Sequence, residues 1–301
     1  MSASANTRAL WQIHFCVLLW GFTAILGKLI SLPALALVVW RMLLVSVVLL
    51  LVPRVWRGLY ALPRRMWLIF SGIGIVVALH WLTFYGAIKL ANASIAVTCI
   101  ALAPVFLALV EPIITSRPFA PRELALGIAV VPGVALVVGG VDKSMYLGIA
   151  VGVLSAFLVA IFSSLNKRYI ERADSLTVTA LELGAGAAFL ALAGFCIPTL
   201  GNPLPMPSQH DAGLLLLLAM VCTLLPFALS LVALRQLSAY SAQLAINLEP
   251  VYAILLAIPL LGEQRELSVQ FYLGVAIIVL AVVIHPWLKS AKPQSSSCGP
   301  N

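Results

Sequence analysis

Charge is what this chain has least of. Only 9% of its 301 residues are Asp, Glu, Lys or Arg, against roughly a quarter in a soluble globular domain. With 62% of its residues hydrophobic, it cannot cover itself with a polar surface, so water is excluded as the solvent for most of it. Acid is scarcer than base: 10 Asp and Glu face 18 Lys and Arg, a net charge of +8. That surplus does not point to nucleic acid. The cations fall in short loops between apolar runs, as in the cytoplasmic loops of membrane proteins.

Other absences narrow the class further. The five cysteines (Cys16, Cys99, Cys196, Cys222 and Cys298) form no CxxC, and four of them lie inside apolar runs. A disulfide frame or a zinc site is therefore not expected. There is no HExxH, no GxSxG and no P-loop, so neither an enzyme nor a nucleotide-driven pump is indicated, and no cofactor or metal is implied. The first apolar stretch lacks a small-residue cleavage site and is read as a retained helix. No connector is long enough to fold as a soluble domain.

What is there is apolar sequence in lengths suited to a bilayer. A helix needs about 20 apolar residues to cross the hydrocarbon core. Ten such runs fall near 10–30, 34–53, 66–88, 94–114, 123–141, 147–166, 176–199, 213–234, 241–261 and 269–288. They predict an all-α polytopic membrane protein with ten transmembrane helices joined as antiparallel hairpins. With the N-terminus inside, 13 of the 18 Lys and Arg residues fall on the inner side. That bias puts both termini in the cytoplasm. Residues 288–301, "KSAKPQSSSCGPN" and the residue before it, are polar and read as a disordered cytoplasmic tail.

The chain also repeats itself. "AIKLANASIAVTCIALAPVF" (87–106) aligns without a gap on "ALRQLSAYSAQLAINLEPVY" (233–252), with 7 of 20 positions identical. Pro104 and Pro250 align, each followed by Val and an aromatic residue. "LWGFTAILGKLI" from Leu19 sits over "VAIFSSLNKRYI" from Val159, and "LGIAVV" from Leu126 over "LGVAII" from Leu273. Helices 1–5 thus match helices 6–10. Five is odd, so the second copy enters the membrane inverted. Inverted repeats are the usual architecture of transporters, with the substrate site near the midplane where the copies meet.

On these residues the chain resembles the drug/metabolite transporter superfamily, in its ten-helix form with two EamA-type repeats. The resemblance is carried by Trp20-Gly21 with Lys28, by Arg41, by Ala87 to Pro104, by "NLEPVYAILLAIPLLGE" (247–263) and by "YLGVAIIVLAVVI" (272–284). It covers 11–140 as a first repeat and 147–287 as a second. One feature departs from the pattern. The second copy ends its motif with Gly262-Glu263, whereas the matching first-copy position is Arg117 and the glutamate is Glu111, beside Pro112. The resemblance implies a multi-pass protein of a bacterial-type inner membrane. It further implies export, less often import, of small metabolites or amino acids. It does not choose a substrate, because such motifs mark fold rather than cargo.

Ionisable and strained residues inside spans are the site candidates. Glu249 is the deepest acid, suited to a cationic group, a proton or an ion pair. Pro250 and Pro104 each free a carbonyl one turn earlier, which serves either a substrate contact or a packing kink. Arg41 keeps its proton and needs an anion: Glu249, Glu182 or a substrate carboxylate. His80 lies in "HWLTFY" (80–85), whose aromatic residues suit an apolar or quaternary-ammonium cargo. Trp81 and Tyr85 read better as an interfacial belt and packing. Trp20 is too deep for a belt. Asn247, with Asn166 and Gln243, is a further cavity-lining candidate. The expected partners are the bilayer and a small-molecule substrate. Two readings of function result: a secondary exporter of small metabolites or amino acids, and a proton-coupled exporter of drugs or quaternary cations. Either state, monomer or homodimer, is compatible with the sequence.

Overall fold

The computed structural model describes residues 3–246, 248, 249, 252, 253, 256, 268–277 and 280 of the chain. Every described element is a helix or a short helical turn, and no strand occurs among the described residues.

The first repeat opens with α1 (Ala3–Leu29), α2 (Ala34–Leu50), α3 (Pro53–Ala61) and α4 (Arg64–Leu90). Then come α5 (Ala93–Ile100) with α6 (Ala103–Thr115), and α7 (Pro121–Ile128) with α8 (Val131–Gly139). The second repeat holds α9 (Tyr146–Tyr169), α10 (Ser175–Cys196), α11 (Gln209–Ala219), α12 (Leu225–Leu234) and α13 (Ala239–Ile246), with more helix at 269–277. The first eight apolar runs therefore coincide with helix. Among the described residues, six helices are long and apolar enough to cross a membrane, and a seventh if α2 and α3 count as one bent span. About half of the ninth and tenth runs, and all of residues 288–301, lie outside the described residues.

Local chemistry sets the boundaries. The Asn92 side chain accepts from the Ile95 backbone N–H at 2.8 Å and caps α5. Asp174 and Ser208 cap α10 and α11 in the same way, each satisfying an orphan donor of a first turn. Prolines divide three spans. Pro104 starts α6 after a tight turn at Ala101–Leu102, Pro132 starts α8, and Pro226 starts α12. In each case the missing N–H and the ring interrupt the ladder of the preceding turn. The connector after α2 is not a bare turn. It is the helix α3, turned 93° from α2. Pro53 starts it, and it carries Trp56 and Tyr60 exposed beside Arg54 and Arg57, the composition of an interfacial helix.

Two ends of the bundle can be told apart by contacts between loops. At one end lie the start of α1, the 116–120 turn, and the 170–174 and 235–238 turns. Arg54 meets Asp174 there at 2.7 Å, and the Tyr240 N–H meets Glu111 at 2.8 Å. At the other end, Ser31 meets Asp211 at 2.6 Å and Gly148 packs on Ala91. The first repeat starts at the first end and the second starts at the opposite end, which is the inversion the odd span number required.

The repeats are packed into one another. α4 lies against α9 and α10, and α1 against α12 and α13. Lipid tails are as apolar as leucine, so such helices are held by close packing rather than by a hydrophobic drive. A Cβ on Gly74 would overlap the Glu182 carbonyl oxygen, and one on Gly186 would overlap Met42. Glycine is what lets α4 and α10 touch backbone to backbone. Trp11, Leu51, Leu68, Leu192 and Phe195 are exposed on the outside, where a lipid-facing surface costs nothing. This is a two-repeat polytopic membrane fold.

Candidate functional site

A cavity of about 100 Å³ lies between the repeats, room for several waters or part of a small solute. Its walls come from both copies, often from matched positions. Thr23 aligns with Ser163, Trp81 with Phe227 and Ile100 with Ile246, and all six line it. The Trp81 and Phe227 rings meet edge to face at 6.0 Å. Matched residues in contact mark the two-fold axis relating the repeats, so the cavity sits on that axis.

Arg41 is part of its wall. Seven residues into α2, the guanidinium is buried and stacks on the Trp81 indole, with Cζ 3.8 Å from the ring centroid. Nε donates to Thr223 Oγ1 at 2.5 Å and Nη1 donates to the Tyr85 hydroxyl at 2.7 Å. Thr223 passes its own proton to the Leu218 carbonyl at 2.6 Å. This partner set depends on a local distortion: residues Met220–Leu224 form a π-helical turn just before Pro226. π-Bulges shift side chains within a helix, and here the shift carries Thr223 to the guanidinium. Gly27 completes the support, because a side chain there would overlap the Tyr85 ring.

The expected anion does not appear. Among the described residues, no carboxylate lies within 4.0 Å of Arg41. Neither of the two glutamates the sequence offered stands in ion-pair contact with Arg41. Glu249 shares the cavity without an ion pair, and Glu182 is buried outside the cavity lining. Glu182 Oε2 accepts instead from Asn166 Nδ2 at 3.3 Å. The belt reading of Trp81 and Tyr85 is corrected. Trp81 is 7% exposed and Tyr85 0%, because α4 runs on to Leu90 and turns this face towards the repeat interface.

His80 is on the cavity wall, its ring between Phe84 at 6.2 Å and Phe162 at 5.3 Å. Nδ1 is 3.0 Å from the Ser155 carbonyl oxygen. The Ser155 hydroxyl is 2.8 Å from the same Nδ1 and donates to the His80 carbonyl oxygen at 3.0 Å. Trp20 is half-buried and lines the cavity too. At the neighbouring Gly21, α1 comes close to Tyr252 and Ala253. Pro104 is buried at the start of α6 and is not part of the wall, while Ile100 before it is. Asn247 and Pro250 lie outside the described residues. The structure thus brings together Arg41, Glu249, His80 and Trp20, and leaves Glu182 and Pro104 behind the wall.

Sequence reasoning missed Thr223, Ser155 and Phe227. Pro226 inside "TLLPFALS" (223–230) was the available signal for a distorted eighth span. The repeat alignment already paired Thr23 with Ser163.

The two ends of the cavity differ. Phe162 and Asn166 of α9, Leu234 of α12 and Ala239 of α13 carry its wall towards the end bearing the N-terminus. At the opposite end, beyond Arg41, the helix ends are tied together. There Ser31 donates from N and Oγ to Asp211 at 2.9 and 2.6 Å, and Lys89 Nζ donates to the Ile30 carbonyl at 2.6 Å. At the N-terminal end, the Glu111 carboxylate accepts from the Ala239 and Tyr240 N–H groups at 3.0 and 2.8 Å, holding the start of α13. Arg117 bridges Glu111 and Glu123. Partial burial pulls its guanidinium down, but the two carboxylates outweigh that and hold it above its ordinary value. The glutamate that departed from the repeat pattern is therefore a helix clasp.

A buried binding cavity on the axis between two inverted helical repeats defines a membrane transporter. The chain belongs to the EamA-like transporter family, whose model matches residues 7–139 and 146–285, once for each repeat. No curated protein matches it. A solved structure titled "Crystal structure of protein" is similar at 18% identity with a TM-score of 0.69, covering 95% of this chain and 99% of that one. At that identity the likeness concerns the fold alone.

Proposed function

We propose that the protein is a secondary exporter of small metabolites or amino acids, working by alternating access across a bacterial-type cytoplasmic membrane with both termini inside. The observation that carries this is Arg41: a buried, fixed cation whose hydrogen-bond partners among the described residues are all neutral, in the wall of a cavity on the repeat axis. A cargo carboxylate or similar anionic group would complete its coordination. Glu249 in the same cavity suits a cargo ammonium, and Trp20, Phe84 and Phe162 suit an apolar body. On this reading the cavity is turned to the cytoplasm, since its wall runs towards the end rich in Arg, and loading from that side is what export requires.

The test is thermal stability of the purified protein against amino acids, acetylated amino acids, sugar phosphates, polyamines and quaternary cations. Ligand at 100 times its Kd should add about 2.7 kcal/mol to the native state. Stabilisation by an anionic compound that survives Glu249→Gln and vanishes in Arg41→Gln supports the reading. Stabilisation that survives Arg41→Gln removes Arg41 from the site.

The second reading is proton-coupled export of a drug or quaternary cation. It is favoured by the aromatic wall beside Glu249, since aromatic faces attract such cations. It requires a cationic hit that Glu249→Gln abolishes.

A further inference from the structure

Glu182 is the acid the transport site leaves unused. It stands in the second turn of α10, entirely buried, where Gly74 and Gly186 bring α4 and α10 into backbone contact. Its Oε2 accepts from Asn166 Nδ2. Its Oε1 has no hydrogen-bond partner among the described residues, and neither has Asn166 Oδ1. The pair thus holds two buried acceptor oxygens without donors. Buried acceptors are ordinarily matched, and an unpaired carboxylate inside a membrane protein is costly. One proton supplies the missing donor and removes the charge.

Among the described residues, nothing else nearby neutralises it. The charged and titratable side chains on the elements packed against α10 are engaged elsewhere or stand at the surface. Arg41 of α2 is held by Thr223 and Tyr85. On α4, His80 is held by Ser155 and Lys89 by the Ile30 carbonyl, while Arg64 and Arg65 are exposed. On α3, Arg54 is bound to Asp174, while Arg57 and Tyr60 are exposed. Residues Leu225–Leu234 of α12 include none. Lys167 of α9, next to Asn166, donates to the Leu234 carbonyl. No Lys, Arg or His nitrogen among the described residues lies within 4.0 Å of Glu182.

Asn166 connects this acid to the transport cavity. It is itself buried, its side chain holds Glu182, and it is one of the residues lining the cavity. We infer that Glu182 and Asn166 form an exchangeable proton site opening on the cavity, which supplies the transporter's coupling ion. The inference rests on the transporter reading and moves the proton from Glu249, where the sequence suggested it, to an acid behind the wall. Binding adds one proton to a Glu182 carboxylate oxygen, and release returns it to cavity water when the Asn166 amide swings aside. α10 packs on α2 close to Arg41, since Gly186 touches Met42. A change of charge at Glu182 therefore acts on the helix that carries the cargo's anchor.

The experiment is infrared spectroscopy of the purified full-length protein in lipid nanodiscs, with pH as the only variable, between about pH 5 and 9, a range set by how far burial displaces carboxyl groups. A protonated carboxyl band should fall as pH rises, should move on transfer to heavy water, and should disappear in Glu182→Gln while persisting in Glu249→Gln. Asn166→Leu keeps the acid and removes the donor that favours the carboxylate, so the midpoint should move up. This second variant keeps the test intact if Glu182→Gln fails to fold. A band of constant height at every pH would make Glu182 a permanently neutral packing group and overturn the inference. So would a band that persists in Glu182→Gln, an unmoved midpoint in Asn166→Leu, or a response to sodium at fixed pH. None of these outcomes bears on cargo stabilisation at Arg41, so the two readings fail separately.

Discussion

The fourth and ninth spans carry the same Pro-Val-aromatic step, at Pro104 and Pro250, yet Ala103 precedes the first proline and Glu249 the second. The second and seventh spans differ in the opposite sense: with Ser31 laid over Ser175, Arg41 stands in the first repeat where Ala185 stands in the second. Each repeat contributes one charged group to the shared cavity, and its partner repeat offers alanine at the matching place. Duplication supplied a symmetric scaffold, and the chemistry is asymmetric. Apolar wall positions tolerate symmetry because packing needs only volume. A cation and an acid on opposite sides of an axis can orient a polar cargo only if neither is duplicated.

The comparison can be broken most strongly at Arg41. Truncating one partner of a buried, hydrogen-bonded charge pair costs about 2–5 kcal/mol of binding. Arg41→Gln should therefore abolish stabilisation by an anionic cargo, whereas Ala185→Ser at the matched place should leave it unchanged. Ligand-dependent melting measures both. Next is the seam between the repeats. Gly186→Val forces a side chain into Met42 and the Gly74 carbonyl, and overpacking of this kind costs about 1–3 kcal/mol. Gly72→Ala, with open space around it, is the control, and loss of the difference between their melting temperatures in detergent would dissolve the seam. Smaller is the clasp on α13. Glu111→Gln removes a charged acceptor from two N–H groups, with an expected cost of about 1 kcal/mol, read as faster hydrogen exchange at Ala239 and Tyr240. The smallest effect belongs to the Arg54–Asp174 pair, whose arginine is 70% exposed. Surface pairs contribute about 0–1 kcal/mol, so Arg54→Gln should barely move the melting curve, while Asp174→Ala should move it more because that carboxylate also caps α10.

Much of the fold was legible from letters alone, and the reasons are local. A run of apolar residues long enough for a bilayer has to be a helix, because its backbone groups find no water to bond. The gapless match of 87–106 on 233–252 predicted two copies, and an odd number of spans made the second inverted. The bent α3 was missed because nine residues with a mixed pattern give no lasting period. Candidate residues were legible by a single criterion, polarity where lipid should be, and that criterion found Arg41, Glu249, His80 and Trp20. It could not separate these wall residues from Glu182, which is as polar and as buried but faces Asn166.

What the sequence determined by itself was the solvent, the helical class and the existence of two copies, since each follows from hydrogen bonding and hydrophobicity along the chain. Which polar groups meet was decided by tertiary structure alone. Arg41 finds Thr223 rather than a carboxylate because a π-turn before Pro226, on a helix 182 residues away in the chain, rotates that hydroxyl towards it. Contacts of such separation depend on how two helices cross, and the glycines that set the crossing at Gly74 and Gly186 reveal their purpose only when the opposite backbone lies against them.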